Sequence, residues 1–500
     1  MLFSDSLGVR EPRDKGVIRV AEEHRAKFLI SRACESPRAG RRVSHYAFGK
    51  RYDGCNMRGF LAIFAMTLVV MVPAAAVTDA DRLEVYHQFR AAFDAHHYQD
   101  ALPLAEKVVA LTEEQYGGKD RALVNPLANL GTTQYRLGDY KNAETTYLRS
   151  VKIVEESGGN ADRLLLRPLH GLGATYYATG QYEDASIALK RALDLSRNLD
   201  GLFNAGQVAI LDPLIASLVT LERHEEAERD YQYLVRVAES TYGRADVHLL
   251  GPLDHYARWL EHRGRYASAR ALHSRALVIA EQVGGQDSLL GVQPLQGIAR
   301  TYRLEFVNGT EEESNPPGDP FAPGADFPSA GMNSQRLNPD GEHALALALR
   351  AIDKAHPVDH LRRGAALIEL GDLYMSGGLR AKGLQSYRDA WKELQAGGST
   401  APLEQPRQLA YKAPFTSVSR SGLGERDNVE EHFVETSFTV THEGLTTDIT
   451  TSATDATASQ QRMALAAIKK AYYAPRLENG EPVNTLGVKF RERLVSKKSR

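Results

Sequence analysis

An aromatic or imidazole side chain returns every 42 residues along the middle of this chain, at Tyr98, Tyr140, Tyr182, His224 and Tyr266. Alanine follows three places behind each, at Ala101, Ala143, Ala185, Ala227 and Ala269. A strict period of this length means one supersecondary unit copied in tandem, each copy too small to bury its apolar face alone and so stacked on its neighbours. Pro126, Pro168, Pro252 and Pro294 keep the same register, with Ile210 in the third place and Pro213 three residues late. Proline suits a first helical turn, where its missing N–H has no intrahelical partner. Gly138, Gly180 and Gly264 stand two residues ahead of the aromatic, where one helix ends, and glycine takes the left-handed backbone that such an ending uses. The spacing predicts stacked α-helical pairs from Asp81 to Leu394.

The blocks Leu-Gly-Thr-Thr-Gln-Tyr-Arg-Leu-Gly-Asp-Tyr-Lys-Asn-Ala at 130–143 and Leu-Gly-Ala-Thr-Tyr-Tyr-Ala-Thr-Gly-Gln-Tyr-Glu-Asp-Ala at 172–185 resemble tetratricopeptide repeats. A small residue on the first helix (Gly131, Gly173, Ala257), a turn glycine, an aromatic and an alanine fall at that family's spacing, in a version with longer helices. Small side chains let paired helices approach closely. The array continues past Tyr302. Residues 306–341 turn to Asn, Glu, Pro and Gly and read as a mobile insertion after the first helix of one repeat. The pattern resumes at Gly341, Leu345 and Ala348 and closes with Leu370, Gly371, Tyr374, Gly378, Tyr387 and Ala390. About seven pairs are expected, the last one capping the core.

The resemblance implies a partner-binding groove walled by the first helix of each pair. By register its candidates are Asn125, His170, Tyr177, Asp254, Arg258, His262 and Arg303, each of which also reads as an ordinary solvated helix residue.

The chain ends carry other signals. Met57-Arg-Gly, the apolar run 60–72 and Ala74-Ala-Ala76 have the three parts of a secretory signal peptide, and the run is shorter than a spanning helix needs. Residues 57–76 are therefore read as a cleaved signal, or alternatively as an inner-membrane anchor, and 1–56 as a disordered or untranslated leader. The two cysteines, Cys34 and Cys55, both precede the signal; the simpler reading takes Met57 as the natural start, and in that case the mature chain carries no disulfide and no thiol chemistry. This places the protein in the periplasm, soluble or anchored and facing it.

After Trp391 glycine and proline mark a linker at 395–405. Val434, Phe438 and Val440 then alternate with polar residues, His442-Glu-Gly444 can turn the chain, and Leu445, Thr447 and Ile449 alternate again, which predicts a hairpin. Gln460 to Tyr473 reads as a helix and Leu486, Val488 and Phe490 as a last strand. The expected fold class is α+β, a helical array followed by a small strand, strand, helix, strand domain at 406–494.

Phe438-Thr-Val-Thr-His-Glu-Gly444 and Tyr473-Ala-Pro-Arg-Leu-Glu-Asn-Gly-Glu-Pro-Val483 resemble the C-terminal domain of TonB-family proteins. That resemblance implies docking to an outer-membrane receptor by strand addition at the closing strand, here Val483, Thr485, Gly487, Lys489 and Arg491. Capping or dimerising the array is an equally open role for the same domain.

The balanced 61 basic and 63 acidic side chains give no bulk field for nucleic acid. No phosphate loop, His-Glu-x-x-His pattern or nucleophile elbow occurs. His96-His97 reads as a surface pair, and Glu225-Glu226 as a solvated helix start. The sequence thus points to a non-enzymatic scaffold for protein partners, without cofactor or metal, with an accessory role in receptor transport as the alternative. Membrane contact is expected only through an uncleaved signal or an envelope partner.

Overall fold

The computed structural model describes residues 79–159, 161–309, 338–414 and 429–497. The leader, the signal segment and most of the insertion lie outside them. Fourteen helices precede the strand-rich region among the described residues. In chain order they are α1 (Asp79–Asp94), α2 (Tyr98–Tyr116), α3 (Val124–Arg136), α4 (Tyr140–Glu156), α5 (Leu166–Ala178), α6 (Tyr182–Asp200) and α7 (Gly206–Thr220). Then come α8 (His224–Tyr242), α9 (Leu250–His262), α10 (Tyr266–Gly284), α11 (Val292–Asn308), α12 (Pro339–Lys354), α13 (His360–Ser376) and α14 (Arg380–Ala396). Two compact units divide between Gln181 and Tyr182.

The first unit shows why the period has its residues. Gly138 and Gly180 adopt φ of 78°, which closes α3 and α5 and lets the next helix start two residues later. The repeated alanines Ala101 and Ala143 are wholly buried, where a larger side chain would hold the helices apart. Tyr147 on α4 fills the space left by two glycines. A Cβ at Gly131 would lie 2.9 Å from its ring and one at Gly171 only 2.2 Å away. Short 3-10 turns lead into α3 and α5, each capped by a carboxylate. Asp120 accepts from the Ala122 N–H at 2.8 Å and Asp162 from the Leu164 N–H at 2.9 Å. The prolines Pro126 and Pro168 follow inside the first turns as expected.

In the second unit the pairs α7/α8, α9/α10, α11/α12 and α13/α14 each pack together. Pro213 departs from the expected role, since it lies within α7 rather than at a helix opening. The α6–α7 connection also lacks the 3-10 turn, and buried Gln207 takes the place held by Leu165 one period earlier. The expected insertion at 306–341 is trimmed at both ends. Phe306 to Asn308 complete α11, and Pro339 opens α12 behind an Asn338 cap. Val292, Leu295 and Ala299 of α11 share a core with Leu345, Ala348 and Ile352 of α12 and Leu373 of α13.

The C-terminal region is larger in strand number than the sequence pattern indicates. Its strands are β1 (Arg407–Ala410), β2 (Val429–Val440), β3 (Thr446–Thr454), β4 (Tyr472–Ala474), β5 (Arg476–Glu478), β6 (Glu481–Val483) and β7 (Thr485–Lys497). The helix α15 (Ala458–Lys469) lies between β3 and β4 and ends before Tyr473, because Tyr472–Ala474 pairs with β1. A capping box between Thr457 and Gln460 starts it. The main sheet has the order β3-β2-β7, antiparallel throughout, with β7 at one edge.

The expected linker at 395–405 does not separate two bodies. It contains the end of α14 and a 3-10 turn at Ala401–Leu403. Leu403, Leu409, Ala474 and Leu477 then enter one core with Leu367, Met375, Tyr387, Ala390 and Leu394 of α13 and α14. Three buried leucines at roughly 1.5–3 kcal/mol each hold the strand-rich region against the last helical pair. A buried ion pair adds direction. Arg407 of β1 donates to both oxygens of Asp372 on α13, at 2.7 and 2.9 Å, and the Tyr387 hydroxyl donates to the same carboxylate at 2.7 Å.

Candidate functional site

The helices α9, α10 and α11 of the second unit enclose a cleft of about 480 Å³ lined by Arg258, Glu261, His262, Tyr266, Arg300, Leu304 and Asn308. Its construction begins at Gly297. A Cβ there would lie 2.4 Å from the His273 imidazole, so only glycine on α11 admits this side chain of α10. His273 occupies the place that Tyr147 holds three periods earlier, and Gly297 that of Gly171. The same close approach therefore carries an imidazole where the first unit carries a phenol.

The imidazole, 1% exposed, anchors a line of charge. Its Nε2 lies 2.9 Å from Glu261 Oε1. An ionised carboxylate only accepts, so the ring proton on that side belongs to Nε2. Arg300 of α11 donates to the other oxygen of Glu261 at 2.7 Å from Nε and lies 3.7 Å from Glu369 of α13. Burial works to raise the Glu261 carboxyl, but the His273 hydrogen bond and the Arg300 guanidinium outweigh it and hold the group below the usual range. The same pairing keeps the Arg300 guanidinium firmly charged despite its burial.

The cleft floor is thus a buried acid clamped from both sides, and its walls present donors. Arg258 is held by Asp254 one turn earlier, Nε to Oδ2 at 2.9 Å, and stays half-exposed. His262 is exposed at the end of α9. Asn308, the last residue of α11, donates to the Tyr266 hydroxyl at 2.9 Å. Leu304 supplies an apolar wall. Such a surface offers hydrogen-bond donors and one apolar contact to an extended ligand rich in carbonyl or carboxylate oxygens.

Two of the predicted groove residues, Arg258 and His262, line the cleft, and a third, Asp254, is buried one turn earlier on α9 and holds Arg258. Arg303 lies on α11 outside the cleft lining and is half-buried. In the first unit Asn125 is exposed at the start of α3, while His170 and Tyr177 are half-buried on α5. Sequence reasoning missed Glu261, Arg300, Leu304 and Asn308. Arg300, Leu304 and Asn308 stand one 42-residue period after Arg258, His262 and Tyr266, so the register itself was an available signal, as was His273, an imidazole where Tyr147 and Tyr231 stand in the same register.

A smaller cleft of about 160 Å³ lies among α6, α7 and α8, with Lys190, Arg197, Glu226, Arg229 and Asp230 in its lining. Glu226, expected to be solvated, is ion-paired with Lys190 at 2.5 Å and Arg223 at 2.6 Å. Its neighbour Glu225 is exposed, as are His96 and His97 of the histidine pair.

Of the predicted edge residues, Thr485, Gly487, Lys489 and Arg491 lie on β7. Val483 does not. It belongs to β6 and pairs with Arg476 of β5, because Asn484 interrupts the strand. Among the described residues no cluster of metal-ligating side chains occurs, and no helix is long and apolar enough to cross a membrane.

The family model of the tetratricopeptide repeat matches residues 90–156 and 127–198. The chain therefore carries tetratricopeptide repeats, and no catalytic family is indicated. Solved structures with similar architecture include BtubC (BKLC) from P. vanneervenii, 18% identical, TM-score 0.36, over 55% of this chain and 94% of that one. A tetratricopeptide repeat protein from Parabacteroides merdae is 14% identical, TM-score 0.36, over 64% of this chain and 94% of that one. The apo form of the quorum sensor NprR from B. thuringiensis is 12% identical, TM-score 0.35, over 64% and 85%. No curated protein matches the chain.

Proposed function

We propose that this tetratricopeptide-repeat chain is an exported, periplasmic protein-binding scaffold, in which the helical array holds one partner and the TonB-like strand region docks another by strand addition. The observation that carries the reading is the cleft of α9–α11, where three successive helices contribute Arg258, His262, Tyr266, Arg300 and Asn308 to one donor-lined surface. Donor side chains around a carboxylate whose oxygens are already taken by His273 and Arg300 suit recognition rather than turnover. Export rests on the signal-like run at 57–76, which predicts a mature chain beginning near Val77.

The test is site-specific photocrosslinking of the full chain in the envelope, with the crosslinker at His262. A partner should be trapped there, and Arg258→Ala should reduce its yield by several-fold. Absence of any crosslinked partner at His262 refutes the groove reading. N-terminal sequencing that finds Met57 intact refutes cleavage and favours the anchored form.

A second reading, an accessory of outer-membrane receptor transport, draws support from the edge position of β7. It requires slowed growth of a deletion strain on a scarce receptor-dependent nutrient, and unchanged uptake refutes it.

A further inference from the structure

The outer edge of β7 has a chemical bias that strand addition alone does not require. Val488, Phe490 and Leu494 face the core beneath α15, with Val434, Phe438, Ala464 and Ile468. The intervening Lys489, Arg491 and Arg493 are exposed on the opposite face, three cations at every second position. On the β2 side they meet Ser437, Glu435 and Phe433 in register. The Arg491 guanidinium leans 4.0 Å over the Phe433 ring, and Arg493 pairs with Glu431. On the other side β7 has no strand neighbour among the described residues.

The two sheet edges are not equivalent. β3, at the opposite edge, has a left-handed residue at Asp448 with φ of 51°, carries two register shifts against β2 and presents threonine and serine. β7 runs without a register shift from Val488 to Lys497. A long regular edge is a template for pairing, and cations opposite carboxylates stabilise a cross-strand pair.

We propose that the outer edge of β7 takes an extended partner segment with carboxylates at every second residue, opposite Lys489, Arg491 and Arg493. This rests on the strand-addition reading above and names its partner chemistry. Leu486, 78% exposed where the strand begins, gives the end of the segment an apolar contact.

The test uses the full chain and fluorescence anisotropy with labelled ten-residue peptides. An alternating Thr-Glu peptide should bind about tenfold tighter than its isomer with five threonines followed by five glutamates, from three opposed charge pairs acting together. An alternating Thr-Lys peptide should not bind. The double variant Lys489→Glu, Arg491→Glu should invert this order, and Lys489→Gln with Arg491→Gln should abolish the preference in either direction. Equal binding of the two acidic isomers overturns the proposal, as does a preference unchanged by the charge reversal. Backbone N-methylation of the Thr-Glu peptide separates the two ideas. If N-methylation has no effect, strand addition fails as well, whereas N-methyl-sensitive binding that ignores charge overturns only the acidic rule.

Discussion

Replacing Arg407 by alanine tests whether the strand-rich region is part of the array or an appendage. Asp372 is 4% exposed and accepts two hydrogen bonds from Arg407 and one from Tyr387. Removing one partner of a buried ion pair costs about 3–5 kcal/mol, because the remaining charge stays desolvated. The Arg407 side chain keeps 33% of its surface, so water partly replaces it and the lower end, about 3 kcal/mol, is expected. The assay is native-state hydrogen exchange on the full chain, since a repeat array need not unfold as one step. Amides of α13, α14 and β1 should lose about 3 kcal/mol of protection, while α1–α4 in the other unit remain unchanged. Pairing Arg407→Met with Asp372→Asn removes the stranded charge while leaving an acceptor for Tyr387, and should recover at least half of the loss. A cost below about 1 kcal/mol for the single variant refutes the reasoning, and equal loss in the first unit points to a global effect instead.

Three further outcomes follow from the same contacts. Gly297→Ala drives a Cβ into His273 at 2.4 Å, and Gly371→Ala does the same to Tyr387 at 2.4 Å; each should cost about 1–3 kcal/mol by overpacking, read from local exchange, with a neutral result refuting the tight fit. The Glu261 carboxyl is held below its ordinary value, so its contribution is fully present above the unfolded carboxylate pKa of about 4.3 and is lost as pH falls through the lower folded value. Glu261→Gln should therefore flatten the acid-side stability profile of the α9–α11 region, and an unchanged slope in a stability titration refutes that assignment. Asp162→Ala should cost about 1 kcal/mol in local exchange at the start of α5, through loss of the cap on the Leu164 N–H.

The array was legible because its determinants are periodic. The wholly buried alanines Ala101, Ala143, Ala185, Ala227 and Ala269 and the left-handed Gly138, Gly180 and Gly264 sit at the spacing read from the sequence. The cleft was half legible. Arg258, His262 and the Asp254 that holds Arg258 follow from the register of one helix, whereas Arg300, Leu304 and Asn308 stand one period after Arg258, His262 and Tyr266 with the residue type changed at two of the three places, so the period marks the positions without marking their chemistry. The long strands β2, β3 and β7 showed alternation, whereas β1, β4, β5 and β6 have three or four residues, too few for a period. The join to α13 and α14 was hidden for a different reason. Leu403, Leu409 and Leu477 are isolated apolar residues in turn-rich sequence, and only their meeting in space makes them a core.

That join changes what a pull on β7 would do. Were the sheet hung on a flexible linker, tension applied at its edge would first straighten slack chain and reach the helices weakened and late. Here β7 is laced along β2, and the adjoining β4 and β5 are seated on α14 and braced by Arg407 against α13. Tension at the edge strand therefore arrives at the last helices as a direct load, borne by a leucine seam and a two-point ionic brace.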